Sequence, residues 1–388
     1  SYYQSERNSI YQAFYDKLLE DNLIYPCFTS EEELKIIRRN QMSAGEPPRY
    51  TGIWANASKE EIEEELEKGN QPVYRFRLPK DKTIIFKDLV KGEQSFYTSD
   101  LDDFIVRKKD LSPTFMFANA IDDSLMGVNV VLRGDDHLSN TPRQIALLKA
   151  LNLEIPEFIH VALFTGDDGA PLSKRNGSLS VKELKEIGYF PQAVINYLSR
   201  VGHTISDNEL RNIHELSSVF NIGNISTSPS KIDHTQLNFW QKNVIESISI
   251  EELSSWLESS LEDLPKDVNK DSFVGLIRDN ITFPADAVRY LKNLFINPLD
   301  SEKEVEDLIK QTGSHFFKIA EKITEDNWGD WPKTMKLIGE ETGAKGKNLF
   351  MPIRASITGQ LSGPELDQVI EVMGLERVLS RLQEASSL

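Results

Sequence analysis

Strand-forming runs stop at about residue 180 of this 388-residue chain, and that asymmetry limits its possible folds more than any other feature. Before it, residues 73–78 and 83–86 alternate apolar and polar positions as half-buried strands do, and Tyr97-Thr98 can pair with them. Residues 104–106, 115–117, 129–132 and 159–164 read as further short strands. Between them, helical periodicity runs through 118–126 and through 141–151, where Ile145, Leu148 and Leu151 share one face. Such alternation predicts a parallel sheet covered by helices, with ligands held at the carboxyl ends of its strands. Beyond residue 180, segments 181–186, 191–201, 207–220, 250–261, 268–280, 285–295, 302–310, 316–323, 331–342 and 364–373 carry helical spacing. The second half is therefore expected to be all-α.

Near the start, residues 1–19 gather Ile10, Phe14 and Leu18 on one helical face. Ser30 ahead of Glu31, Glu32 and Glu33, and Ser58 ahead of 59–68, are helix starts, because a hydroxyl caps free amides and early carboxylates complement the helix dipole. The chain opens on Ser1 already in helical pattern, so a preceding segment is expected. Hydrophobic residues make up 39% and charged residues 27%, the balance of a globular protein, and no apolar run approaches the ~20 residues that span a bilayer. A single cysteine, Cys27, excludes an internal disulfide framework and any site of several thiolates, and suits a reducing, cytoplasmic setting. The net charge of −17 speaks against nucleic acid only weakly, since phosphate contacts depend on the charge of the contacting face.

Two polar clusters follow expected strands. Arg133-Gly134-Asp135-Asp136-His137 comes after Val130-Val131-Leu132. Arg133 can grip a carboxylate and the aspartates can accept from hydroxyls or an amine, although the same residues would serve as a plain polar turn before a helix with Pro142 in its first turn. The loop from Gly166 to Gly177 holds Pro171-Leu172-Ser173-Lys174-Arg175. Adjacent cations among glycines can close over phosphates, but the spacing is not that of a Walker loop, and an isolated Ser-Lys-Arg is equally a solvated turn.

The order of the clusters is more specific than either one. Pro113 to Pro142 reads PTFMFANAIDDSLMGVNVVLRGDDHLSNTP, followed by LSKR at 172–175; YQSER stands at 3–7, LDDF at 101–104 and GKNLFMPIR at 346–354. This series resembles the glutamyl-tRNA synthetases, class I aminoacyl-tRNA synthetases, over almost the whole chain. The resemblance implies an α/β Rossmann-like class I catalytic domain whose N-terminal part, with the His-Ile-Gly-His-type motif, lies upstream of these residues. It implies an α+β insertion and an all-α C-terminal anticodon-binding region. The implied divisions are 1–24 and 106–170 for the catalytic domain, 25–105 for the acceptor-arm insertion, 171–240 for the phosphate loop and stem contact, and 241–388 for the anticodon-binding domain.

The implied reaction is ATP-dependent ligation of L-glutamate to the 3′ end of tRNA(Glu) through a glutamyl adenylate. ATP with Mg2+ would serve it, without zinc, and the expected partners are tRNA(Glu), L-glutamate and ATP, for a cytoplasmic monomer away from membranes. By motif position, Arg133 would hold the glutamate side chain, with Asn119 and Phe115 lining the pocket. Asp136, Leu172 and Lys174 would contact ATP. Ser173, Lys174 and Arg175 would form the catalytic loop, Lys174 steadying the departing pyrophosphate. Lys345, Lys347 and Arg354 would meet the anticodon end of tRNA. Two substitutions depart from the family: Phe115 replaces a common tyrosine and Pro171 replaces the first lysine of the loop. With the histidine motif upstream, these residues alone carry half an ATP site and are expected to be inactive by themselves. The alternative is a catalytically inactive tRNA-binding or interaction protein on the same scaffold. A base-modifying relative would lack the helical half, and a glutaminyl-tRNA synthetase would show strands in it.

Overall fold

Helix α1 (Asn8–Glu20) buries Tyr11, Tyr15 and Leu18 along one side, and this stripe seeds the core of the N-terminal half. The structure, a computed structural model, describes residues 3–166, 169–170, 172, 179–296 and 303–388. It divides into two units, one made of Ser1–Leu172 with Gly202–Ile205 and Phe220–Lys231, the other of Ser173–Val201, Ser206–Val219 and Ile232–Leu388.

In the first unit, α1 leads to β1 (Ile24–Cys27), α2 (Glu31–Ser43), α3 (Lys59–Glu67), β2 (Val73–Phe76), β3 (Thr83–Asp88), β4 (Gly92–Tyr97) and β5 (Ile105–Arg107). Then follow α4 (Phe115–Leu125), β6 (Val130–Gly134), α5 (Thr141–Leu151), β7 (Glu157–Val161) and β8 (Phe164–Thr165). Strands β4-β3-β7-β6 form one sheet, in which β3 and β6 both run parallel to β7. Helix α5 links β6 to β7, giving the expected crossover, and the register sets Arg133 beside His160 and Gly134 beside Val161. The hairpin β3–β4 belongs to this same sheet, whereas β1-β2-β5 form a separate antiparallel one. Tyr15 stacks on Phe117 with centroids 4.3 Å apart, while Phe117, Ile121, Ile145, Leu148 and Phe158 close the core between α4, α5 and the sheet.

Residues 115–117, expected as a strand, instead form the first turn of α4. Their aromatic content suggests β structure, but Phe117, Ala118, Ala120 and Ile121 are all buried, a spacing of i, i+1, i+3 and i+4 that fits one face of a helix and not the alternation of a strand. The Ser30 and Ser58 starts are complete capping boxes, each hydroxyl accepting from the amide three residues on while Glu33 or Glu61 reaches back. The Ser58→Ala variant should lose about 1 kcal/mol, read as a lower urea midpoint at unchanged slope.

The second unit is helical: α6 (Val181–Ile187), α7 (Pro191–Leu198), α8 (Ile213–Val219), α9 (His234–Ser247), α10 (Ile250–Trp256), α11 (Lys270–Ile277) and α12 (Pro284–Leu291). It continues through α13 (Lys303–Thr312), α14 (Ser314–Asp326), α15 (Trp331–Thr342), α16 (Lys347–Thr358), α17 (Leu366–Met373) and α18 (Leu375–Ser387). Among the described residues past 180, the only strand is β9 (Ser230–Lys231), which pairs with β8 inside the first unit. Buried Gln241 stitches loops together, accepting from the amide of Phe190 and donating to the carbonyls of Gly188 and Thr282. Gly188 is obligatory: its φ is +108° and a Cβ there would lie 2.5 Å from Pro284. Helices α9, α16 and α18 were not anticipated, and α16 carries Pro352 in its interior, which interrupts the local signal but is tolerated in a buried setting.

Candidate active site

Strand β6 delivers Arg133 to its carboxyl end, half-buried. Its Nε donates to Nε2 of His160 at 3.1 Å and its Nη2 donates to Oγ1 of Thr141 at 2.7 Å, while the guanidinium carbon sits 5.4 Å from the Phe158 ring centre. Burial lowers the Arg133 pKa from its ordinary value, and the charges of Asp123 and Asp136 oppose that. An arginine starts so high that it remains a cation.

His160 is wholly buried, and its Nδ1 lies 2.7 Å from Oδ2 of Asp88. Burial pushes its pKa down, against the hydrogen bond it donates to Asp88, and nearby Arg133 lowers it further. A neutral ring with its proton on Nδ1 satisfies this network, donating to Asp88 and turning its Nε2 lone pair to Arg133 Nε and to the Thr141 hydroxyl, 2.9 Å away; the tautomer is assigned from these contacts. Asp88, at the end of β3, is itself 1% exposed. Burial alone would raise its pKa, but hydrogen bonds from the Lys91 amide, the His160 ring and the Val90 amide together hold it below the usual carboxylate range.

Helix α4 presents Phe115, Asn119 and Asp123 at four-residue spacing, hence on one face. Phe115 is 53% exposed and its ring lies 5.3 Å from that of His137. Asn119 accepts from Nε2 of Gln144 at 3.1 Å. Burial raises the pKa of Asp123, opposed by the positive charge of Arg133. The helix is pinned through Asp122, which accepts from Nε of Arg7 at 2.8 Å and from the Tyr11 hydroxyl at 2.5 Å. The Tyr11→Phe variant should lose about 1–3 kcal/mol of stability, because a partly buried charged acceptor loses a donor; thermal unfolding measures it.

At the turn after β6, Asp136 is exposed, 3.7 Å from Nε2 of His137, and Asp135 pairs with Lys91 at 3.0 Å. Gly134 leaves room for the Asp136 carboxylate: a Cβ there would come within 2.5 Å of Asp136 Oδ1 and 2.9 Å of the Leu163 side chain. Just past β7, the Leu172 amide donates to the carbonyl of Phe164 in β8 at 3.0 Å, which anchors the basic loop at its base. Pro171, Ser173, Lys174 and Arg175 lie outside the described residues. The first cluster thus leaves the carboxyl end of β6, beside the parallel strand β7, where α/β sheets bind ligands, whereas the described residues of the second follow β8, which pairs with β9 in a separate sheet.

In the second unit, Lys345 and Lys347 are exposed at the entry to α16, and Lys347 borders a groove of about 630 Å³ with Asn348 and Met351. Arg354 is half-buried, with Nη1 donating to the carbonyl of Pro364 at 2.8 Å, so part of its guanidinium serves the fold. Among the described residues, no group of three His, Cys, Asp or Glu side chains could hold a metal ion. Cys27 is buried, with Sγ 3.3 Å from the Tyr50 hydroxyl. No described helix is long and apolar enough to cross a membrane.

Asp88, Asp123 and His160 were not singled out in the sequence, and Thr141 was singled out only as a helix cap. The one available signal was a lone histidine inside the apolar run Phe158-Ile159-His160-Val161, a position that demands a buried partner.

A parallel-stranded ligand site followed by a helical unit is the arrangement of a class I tRNA synthetase. The family model for tRNA synthetases class I (E and Q), catalytic domain, matches residues 1–239, and that for an anticodon binding domain matches residues 249–386. The chain is 44% identical over 387 residues to glutamate--tRNA ligase 1 of Halorhodospira halophila, covering 100% of this chain and 81% of that protein. It is 43% identical over 385 residues to glutamate--tRNA ligase 2 of Coxiella burnetii, covering 99% and 83%. The crystal structure of glutamate-tRNA synthetase from Elizabethkingia anophelis matches with a TM-score of 0.84 at 25% identity, over 99% of this chain and 83% of that one. The chain belongs to the glutamate--tRNA ligase family.

Proposed function

We propose that the protein activates L-glutamate with ATP and transfers it to the 3′ end of tRNA(Glu). The glutamate α-carboxylate attacks the α-phosphorus, pyrophosphate departs, and a terminal ribose hydroxyl of tRNA then displaces AMP from the adenylate. No side chain need act as nucleophile, so the protein's contribution is positioning and charge stabilisation. The observation that carries this reading is Arg133, a buried-edge cation whose two bonded partners are both neutral. It is set to take the side-chain carboxylate, with Asn119 and Phe115 beside it and Asp136 toward the ATP ribose. Ser173, Lys174 and Arg175 form the phosphate loop, with Leu172 at its base. ATP enters with Mg2+. Residues 25–105 receive the acceptor arm and 241–388 the anticodon, with Lys345, Lys347 and Arg354 at the reading end, in a cytoplasmic monomer. Helices without strands among the described residues of 241–388 fit the glutamate rather than the glutamine branch of the class.

Aminoacylation of purified tRNA(Glu) and tRNA(Gln), side by side with labelled glutamate, tests this in the full-length protein. Glutamate should appear on tRNA(Glu), and the second tRNA shows whether the anticodon is read strictly. Absence of glutamate-dependent pyrophosphate exchange in the presence of tRNA(Glu) would refute it.

A further inference from the structure

Arg133 could have been oriented by carboxylates, as most half-buried arginines are, but its two direct partners are a neutral imidazole and a hydroxyl. A carboxylate partner would spend the positive charge inside the protein; neutral acceptors fix the geometry and leave the charge available. Among the described residues, Nη1 has no hydrogen-bond partner, so the edge carrying it is the one left for a ligand. The nearest acids, Asp123 and Asp136, act on the guanidinium through space.

The imidazole can accept from Arg133 only while its Nε2 carries no proton. Asp88 secures that state. Its Oδ2 takes both the His160 ring Nδ1 at 2.7 Å and the His160 amide at 3.0 Å, and its Oδ1 takes the amides of Val90 and Lys91 at 2.9 and 2.7 Å. The carboxylate is thereby locked against rotation, with one lone pair facing Nδ1. We propose that Asp88 and His160 are positioning residues for amino-acid recognition: Asp88 fixes the Nδ1-H tautomer of His160, whose Nε2, with Thr141, aims the Nη1 edge of Arg133 at the substrate carboxylate. The unit spans β3, β7 and β6, three neighbouring strands, so it also ties the β3–β4 hairpin to the site. It rests on Arg133 being the carboxylate grip proposed above. A displacement of about 1 Å in such a group can cost 10²-fold, so the orientation of Arg133 has kinetic weight out of proportion to the two hydrogen bonds.

The test uses glutamate-dependent pyrophosphate exchange by the full-length protein with tRNA(Glu). The His160→Phe variant keeps the ring volume and removes the acceptor. It should raise the glutamate KM at least tenfold while the ATP KM stays within twofold. The His160→Gln variant restores an acceptor at the Nε2 position and should return the glutamate KM to within about threefold of wild type. In an Arg133→Ala background, His160→Phe should add nothing further. A glutamate KM within twofold of wild type in His160→Phe overturns the inference. So does a parallel rise of both KM values with a lowered Tm that His160→Gln does not restore, since that is packing alone. If Arg133→Ala itself leaves the glutamate KM unchanged, the underlying assignment of Arg133 fails instead, and the two failures are told apart by that control.

Discussion

The Lys174→Ala variant is expected to activate glutamate about 10²–10³-fold more slowly while unfolding at the wild-type temperature. Two residues before Lys174, the Leu172 amide donates to the carbonyl of Phe164 in β8. In the proposed reaction Lys174 would meet phosphoryl oxygens, on which charge grows as pyrophosphate leaves. An interaction that strengthens only as the transition state forms lowers kcat and kcat/KM together and leaves the ATP KM nearly unchanged. Pro171 has already removed one cation from the family's loop, so less redundancy remains than usual, which places the effect toward the upper end. A glycine-rich loop adds little to a core, and substitutions away from cores generally change stability by less than about 0.5 kcal/mol. Pyrophosphate exchange alongside differential scanning calorimetry reads both quantities. Exchange at wild-type rate would show that the loop does another job.

The Arg133→Ala variant should lose about 2–5 kcal/mol of transition-state binding for glutamate, about 30- to 5,000-fold in kcat/KM. The loss has two sources. The substrate carboxylate is left without its counter-charge, and Thr141 loses the donor it accepts from, while His160 Nε2 keeps only the Thr141 hydroxyl, 2.9 Å away. Asp123, whose pKa burial already raises, loses the charge that opposed the rise and should titrate higher still. Arg133→Lys should rescue little, because an ammonium cannot donate to His160 and Thr141 in a fixed plane and still present an edge to a ligand. Steady-state kinetics with glutamate and glutamine as competing substrates checks this. A glutamate KM within twofold of wild type in Arg133→Ala would remove Arg133 from the site.

Much of the local structure was legible without coordinates, because its causes are local. Ser30 and Ser58 cap α2 and α3 through atoms three residues away, and 331–342 is bounded as its periodicity and the following glycine require. The parallel pair β6–β7 followed from two apolar runs separated by one helical stretch. The misreadings share a cause as well. Phe115 to Phe117 carried strand-like composition, and their helical state comes from packing of Phe117 against Tyr15, about a hundred residues earlier in the chain. Helix α16 was unread because Pro352 argues locally against it, while burial of Leu349, Ile353 and Ile357 outweighs that objection.

The candidate site divides along the same line. Arg133, Asn119, Asp136 and the Leu172–Arg175 loop were found from ordered motifs, whose spacing is a property of the chain alone. Asp88 and His160 were not, because neither belongs to a motif and they lie 72 residues apart. Composition, order and periodicity determined that this would be an α/β sheet with two polar strand ends and then a helical unit. Only the tertiary structure decided that β3 lies against β7, on the side away from β6, which sets an aspartate, a histidine and an arginine in a row across three strands. Strand pairing over such separations is set by the whole sheet's burial and hydrogen bonding, not by any neighbourhood of the sequence, so the row exists only once the sheet is built.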